Sequence, residues 1–295
     1  MNARSKTSYF DKIRSLYANK FGEYWLLKFV QGKNASDFAA RFIPMPHLFP
    51  NPSWRQVYRN DLRLNLDISD LVDWYIYFNL KEEGLDLMLS FIQPGDLVLD
   101  IGTNVGYFAL RCAMKAKRGF VYGFEPSEIS FNKCQANLGL NNLSNLVVEQ
   151  LALGEMEGTA YLHTETENNR GMNRISTDRI SEDEQIKVRS MDQFVKENNI
   201  SKVNFIKLDV EGYEMQVLKG GEQTISAFRP KLFLEVDDTL LGRFGVSSTS
   251  IFHWLQEREY NIYDIRGNRL HDVTGIFDRH VDVIAIPSES DRSLL

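Results

Sequence analysis

Cysteine is scarce in this chain of 295 residues: only Cys112 and Cys134 occur. Each lies in a helix-like stretch, with no CxxC and no neighbouring histidine. That excludes a disulfide scaffold and a cysteine zinc site, and it suits a reducing cytoplasm, where the protein is expected. Long apolar runs are missing too. Nothing approaches the ~18 residues of a transmembrane segment, and MNARSKTSYFDKIRSLY has no apolar core of a secretory signal. Positive charge is in deficit: 34 Lys and Arg against 40 Asp and Glu give a net charge of −6. A general phosphate-backbone binder needs clustered cations, so no nucleic-acid partner is expected. What is present is ordinary globular composition, 43% hydrophobic and 25% charged, enough for a sizeable core. The length fits one large domain or two small ones.

Four of the eight prolines fall between Pro44 and Pro52, which reads as a stiff extended linker. Before it, YFDKIRSLYANKFGEYWLLKFV is helical and aromatic. After it, DLRLNLD (61–67) alternates as a half-buried strand does, and residues 70–93 look helical. From Asp96 onward the pattern is regular: LVLDIG, GFVYGFE, NLVVEQLAL, VNFIKLDV and KLFLEVD are apolar strands separated by helices. GTAYLHTET and IKVRSM add strands, and NIYDIRGNRLHDV with VDVIAIP suggest an antiparallel edge. The expected fold is α/β, a Rossmann-like doubly wound and mostly parallel sheet covered on both faces. The expected domains are a helical N-terminal extension with a Pro-rich linker (1–60), a main domain (61–288) and a frayed tail (289–295).

The segment VLDIGTNVGYF carries the first chemistry. Asp100 ends a strand, and Gly102 and Gly106 flank a turn into a helix, where missing Cβ atoms let a ligand approach backbone. A dinucleotide fingerprint needs G-x-G-x-x-G around a pyrophosphate. Here Asn104 replaces the second glycine, and a carboxylate stands where it would repel phosphate. The same carboxylate suits a cationic nucleoside, S-adenosylmethionine, which bears a sulfonium and an ammonium. Glu125, 25 residues further at the end of the next strand, can accept hydrogen bonds from both ribose hydroxyls. Gln150, Leu151 and Ala152, at the third strand end, fall near the adenine.

Two later strands also end in acids: Asp209 and Glu211 on one, Glu235, Asp237 and Asp238 on the other. Residues two apart on a strand share a face, so Asp209 and Glu211 can aim at one crevice, with Lys207 placed to pair with Asp209 and Glu235 close by. Asp209, Glu211 and Glu235 are therefore the catalytic candidates, Asp209 also lying near the cofactor. Such carboxylates can serve as a general base. They can also hold a divalent cation, which is possible but not favoured, because spacing alone fixes no ligand geometry. No Asn/Asp-Pro-Pro-Tyr segment follows the fourth strand, and with the acidic charge this favours oxygen over nitrogen as acceptor.

The polar loop NNRGMNR offers Asn169, Arg170, Asn173 and Arg174 as donors to sugar oxygens. His163, His253, His271 and His280 stand without partners at ligand spacing; His280 is the best placed as a base. The N-terminal aromatics Tyr9, Phe10, Tyr17, Phe21, Tyr24, Trp25 and Phe29 recur at near-helical spacing. They are expected to pack on the core or on a partner subunit, which admits a homo-oligomer. Membrane contact is less favoured because basic residues there are few.

DIGTNVG, then FEPS, then FIKLDVEGYEMQVLKGG, then a strand ending in Glu resembles the FkbM-type S-adenosylmethionine-dependent methyltransferases over about residues 80–240. The block of Lys207, Asp209, Glu211, Gly212 and Glu214 is its most specific part. The resemblance implies a Rossmann-like sheet with an antiparallel last strand, and O-methylation of sugar, polysaccharide or macrolide-type hydroxyls. The tyrosine-glutamate pair often seen upstream of the first strand is not clear; KEEG at 81–84 is its nearest counterpart. The expected function is transfer of methyl to a hydroxyl of a sugar, polysaccharide or glycosylated metabolite. The alternatives are a nicotinamide oxidoreductase, which would need the missing glycine, and a non-catalytic nucleoside-binding or scaffold protein.

Overall fold

The computed structural model describes residues 9–81, 83–164, 169, 171, 173–176, 183–270 and 281–293. The chain divides into two compact units, Met1–Glu82 with Glu165–Gly171, and Glu83–Thr164 with Met172–Leu295.

In the first unit the N-terminal helical stretch is two helices, α1 (Tyr9–Ser15) and α2 (Lys20–Val30). Asn19 divides them, its side chain accepting from the amides of Phe21 and Gly22 to start α2. The proline-rich stretch is not simply extended: a 3-10 turn spans Pro46–Leu48 and the Asn51–Pro52 bond is cis. The strand read at 61–67 is half of a hairpin, β1 (Trp54–Arg59) against β2 (Leu62–Asp67). Its turn is Asn60-Asp61, both at positive φ, the conformation that tight hairpins require and that Asn and Asp tolerate. Asp70 caps α3 (Leu71–Phe78), which ends on left-handed Asn79. A buried ion pair ties α2 to the hairpin and α3: Glu23 receives two bonds from Arg55, at 2.7 and 2.8 Å, and one from Tyr77 Oη at 3.0 Å.

The second unit opens with α4 (Glu83–Ser90) and is built on a seven-stranded sheet. Its parallel strands are β3 (Leu97–Ile101), β4 (Phe120–Phe124), β5 (Leu146–Glu149), β10 (Phe205–Leu208) and β11 (Lys231–Val236). β12 (Tyr260–Asp264) and β13 (Val281–Pro287) complete it in the order β12-β13-β11-β10-β3-β4-β5, with β13 antiparallel to both neighbours. The helices between them are α5 (Tyr107–Ala116), α6 (Glu128–Gly139), α7 (Met191–Glu197), α8 (Glu214–Gly220), α9 (Glu222–Phe228), α10 (Asp238–Leu241) and α11 (Ser248–Glu257). Ser127 caps α6, as its sequence suggests. A second, four-stranded sheet holds β6 (Ala152–Leu153), β7 (Gly158–His163), β8 (Arg174–Ser176) and β9 (Glu184–Arg189). The stretch NLVVEQLAL is therefore not one strand; it breaks at Gln150-Leu151 and its halves enter different sheets.

The large sheet sorts its side chains by face. Leu99, Ile101, Ile206, Leu208, Leu232, Leu234 and Val236 lie in one buried cluster with Phe194 of α7, Val217 of α8, Ile225 of α9 and Phe252 of α11. The alternate residues point to the other face, and there the register sets Asp100 beside Lys207 and Lys207 beside Phe233. Beyond β13 a 3-10 turn spans Ser288–Ser293, and Glu289 accepts from Arg229 at 2.8 and 3.0 Å.

Candidate active site

β3 is followed in sequence by β4 and β5 on one side, but its other neighbour is β10. The strand order reverses between β3 and β10, and in open α/β sheets ligands bind outside the carboxyl ends of the strands at such a switch point. Two backbones meet there. Gly102 has φ +86, and a Cβ on it would fall 1.8 Å from the carbonyl oxygen of Asp209. Only glycine lets the turn after β3 lie against the end of β10. Gly106 has φ +85, and its Cβ would meet Cys134 Sγ at 2.6 Å. Thr103 braces the turn, donating to Asp100 O at 2.8 Å and accepting from Phe124 N at 2.9 Å. Asn137, buried on α6, donates to Val105 O at 3.0 Å. Neither brace stood out in the sequence, because Thr and Asn are common and their partners are distant.

Asp100 is fully buried, and neither of its carboxylate oxygens has a hydrogen bond of good geometry; Thr103 and Lys207 are its weak donors. Lys207 Nζ stands 3.7 Å from it. Burial lifts the Asp100 carboxyl to about 6, against the pull of Lys207. Glu125 is buried at the end of β4. Its oxygens accept the amides of Asn104, which is left-handed at φ 51, and Ser127, at 2.8 and 3.0 Å. Burial pushes Glu125 up to about 7. Each oxygen of a carboxylate has two acceptor sites, so one on each remains for a further donor.

A second carboxylate group lies across β10 and β11. Lys207 donates to Gly102 O at 3.1 Å and to Asp209 Oδ2 at 3.0 Å. Burial alone would lower the Lys207 value, but Asp209 and Asp100 prevail and raise it, so it stays charged. Leu208 pairs with Leu234, which sets Asp209 and Glu235 side by side one position further on, and the two are hydrogen-bonded. Burial first, then Asp209, raise the Glu235 carboxyl far above the usual range, so Glu235 holds the proton of the pair. Glu211 is left-handed at φ 53, in the conformation that stores strain at functional sites. Burial, Asp209 and Glu214 lift it to about 8, while Arg243 draws it down. Glu214 fastens the loop, accepting from the amides of Val210 and Gly212 at 3.3 and 3.1 Å. Asp237 and Asp238 have other work: Asp237 caps α10, and Asp238 holds Ser248. Among the described residues no group of three or more His, Cys, Asp or Glu is arranged to hold a metal ion.

The remaining sequence candidates scatter. Gln150 is exposed at the break between β5 and β6, Leu151 is half-buried, and Ala152 packs in the core of the small sheet. Arg174 lies on β8; burial and the charge of Arg243 lower its value, Asp183 opposes them. Asn173 has a buried side-chain oxygen without a hydrogen-bond partner. Asn169 is half-buried. Arg170, His271 and His280 lie outside the described residues. His163 is not alone: its Nδ1 is 2.8 Å from Asp183 Oδ1, a partner 20 residues away that no local spacing reveals.

Residues 100–262 match the Methyltransferase FkbM domain. The chain belongs to the FkbM methyltransferase family. Methyltransferase 1 of Beauveria bassiana is 30% identical over 147 residues, covering 43% of this chain and 59% of that protein. The hexuronic acid methyltransferase AglP of Haloferax volcanii is 28% identical over 140 residues, covering 48% and 56%. The 2-O-methyltransferase NoeI of Sinorhizobium fredii is 24% identical over 152 residues, covering 46% and 62%. The matches thus span somewhat over half the length of each of these relatives. No helix among the described residues is long and apolar enough to cross a membrane.

Proposed function

We propose that this protein transfers a methyl group from S-adenosylmethionine to a hydroxyl of a sugar, polysaccharide or glycosylated metabolite. The observation that carries the reading is Asp100: a wholly buried carboxylate whose only donors, Thr103 and Lys207, are weak, beside a turn opened by Gly102 and Gly106. Buried polar groups are rarely left without good donors, and an exception calls for one. The ammonium of the cofactor is such a donor, and the free acceptor sites of Glu125 suit ribose hydroxyls. A pyrophosphate would meet these carboxylates as like charge, which disfavours a nicotinamide cofactor.

When bound, S-adenosylmethionine would supply an electrophilic methyl on sulfonium sulfur. The chain then has to place a hydroxyl in line and take its proton as the oxygen–carbon bond forms. Glu211, lifted to about 8, binds a proton tightly enough for that role, and a cation beside it would draw it back toward the ionised form. Asp209 is held by Lys207 on one side and by Glu235 on the other, which fixes its orientation as a hydrogen-bond acceptor for the incoming hydroxyl. Asn173 and Arg174 remain candidates to hold the acceptor. AglP is named for a hexuronic acid and NoeI for 2-O-methylation, and both support a sugar hydroxyl here. Cys112 and Cys134, both free and buried, support a reducing cytoplasmic setting.

The test is incubation with methyl-labelled S-adenosylmethionine and a panel of neutral and uronic glycans, with and without chelator. Label should enter an ether-linked methyl of a glycan, and chelator should change little. Asp209→Asn should cut kcat far more than cofactor affinity. Cofactor binding with no transfer to any glycan would leave the non-catalytic alternative standing; transfer to nitrogen would overturn the choice of acceptor.

A further inference from the structure

α2 is amphipathic in an unusual sense. Its inner face carries Gly22, Glu23, Leu26 and Val30, all buried. Its outer face carries Lys20, Phe21, Tyr24, Trp25, Lys28 and Phe29, all exposed. Phe21 is 75% exposed, Phe29 63%, Tyr24 53% and Trp25 45%, and nearby Phe38 is 73%. Phe21, Tyr24, Trp25 and Phe29, expected to pack on the core or on a partner subunit, are exposed at the surface of this chain. They are not there by a loose rotation of the helix, because Glu23 is locked to Arg55 and Tyr77 on the opposite side. The rings support one another instead. Trp25 meets Phe21 at 6.4 Å and Tyr24 at 5.7 Å, both edge-on, and Lys28 Nζ lies 4.4 Å over the Tyr24 ring.

The exposed charge on α2 itself has one sign: Lys20 and Lys28 are exposed and Glu23 is buried. Between residues 11 and 42 the exposed cations are Lys12, Lys20, Lys28, Lys33 and Arg41, while Asp11, Glu23 and Asp37 are buried or half-buried. Basic residues are few in sequence, but the fold withdraws the acids that would cancel them. A protein of net charge −6 therefore presents one aromatic face that is locally cationic. A second copy docked face to face would bring Lys against Lys. An anionic lipid surface satisfies both features: Trp, Tyr and Phe favour the boundary between headgroups and acyl chains, and lysines snorkel to the headgroups.

We infer that the outer face of α2 is a peripheral docking surface for an anionic bilayer. The whole chain is tested by cosedimentation with phosphatidylcholine vesicles alone and with vesicles containing about 30% phosphatidylserine. Binding should appear on the anionic vesicles and weaken with salt. Phe21→Ser/Trp25→Ser/Phe29→Ser should lose at least about tenfold in partitioning while melting at the same temperature, since these side chains support no core. Lys20→Glu/Lys28→Glu should lose the preference for phosphatidylserine. The inference is overturned if neither vesicle binds, or if the aromatic variant binds as well as the parent. It is equally overturned if the face instead mediates a concentration-dependent dimer without lipid, or retention on polyglutamate without vesicle binding.

Discussion

Two groups of buried carboxylates in this chain are made from the same residue types and behave oppositely. In the N-terminal unit Glu23 receives three donors, two from Arg55 and one from Tyr77. Asp67 Oδ1 receives the amides of Ser53 and Ser69 and the Ser69 hydroxyl, at 2.7, 3.2 and 2.7 Å. These two acids are well supplied with donors; their work is to hold α2, the hairpin and α3 together. At the ends of β3, β10 and β11 the donors run short. Asp100 has only weak donors in Thr103 and Lys207, Glu235 faces Asp209, and Glu211 stands in a left-handed turn among other acids. The two groups differ in the supply of donors, not in the depth of burial.

That contrast can be broken at either end. The largest effect is expected from Gly102→Ala. Its methyl would overlap Asp209 O, so urea unfolding should show a loss of about 3–5 kcal/mol and cofactor titration no binding. Next is Glu23→Ala, which strands Arg55 and should cost about 2–4 kcal/mol in the same unfolding measurement. Because Glu23 is structural, calorimetry should find cofactor affinity unchanged. Glu125→Ala should weaken cofactor binding by about 1–3 kcal/mol, the cost of lost bonds to a charged group; an unaltered Kd removes Glu125 from the site.

The same contrast sets a pH slope. Glu211 rises from 4.5 to about 8, and Glu125 and Glu214 to about 7. Between pH 5 and 8 the folded chain therefore binds more protons than the unfolded one, and stability falls as pH rises. Each such group contributes up to about 1.4 kcal/mol per pH unit within its window. Glu211→Gln should flatten the slope seen by chemical denaturation across that range; a stability that climbs from pH 5 to 8 would contradict the poised state of these acids.

The parallel strands and the glycine turn after β3 were legible because their signals are local: an apolar run, a glycine pair, an acid at the strand end. Asp100, Glu125 and Asp209 could be named for that reason. The relation of Glu235 to Asp209 needed one more fact, that β10 and β11 are neighbours. Other features depended on distant partners. Thr103 and Asn137 brace the turn through backbone atoms of other segments, and His163 finds Asp183 across a loop. The hairpin β1–β2 went half unread because WRQVYR alternates weakly, and its turn is Asn-Asp, not the usual Asn-Gly. NLVVEQLAL read as one strand because hydrophobic runs do not show where a chain changes sheets. Which face of α2 turns inward was not legible for a similar reason: periodicity gives two faces, and the Glu23–Arg55 pair fixes which one is buried.

The account rests on acids at the tip of β3 gripping a sulfonium nucleoside, and a calorimetric titration of S-adenosylmethionine into the parent protein and Asp100→Asn addresses this directly. Binding by the parent, at least about tenfold weaker in Asp100→Asn with the melting temperature preserved, is the predicted result. A well-folded parent that takes up no S-adenosylmethionine, or a variant that binds it equally well, would contradict it.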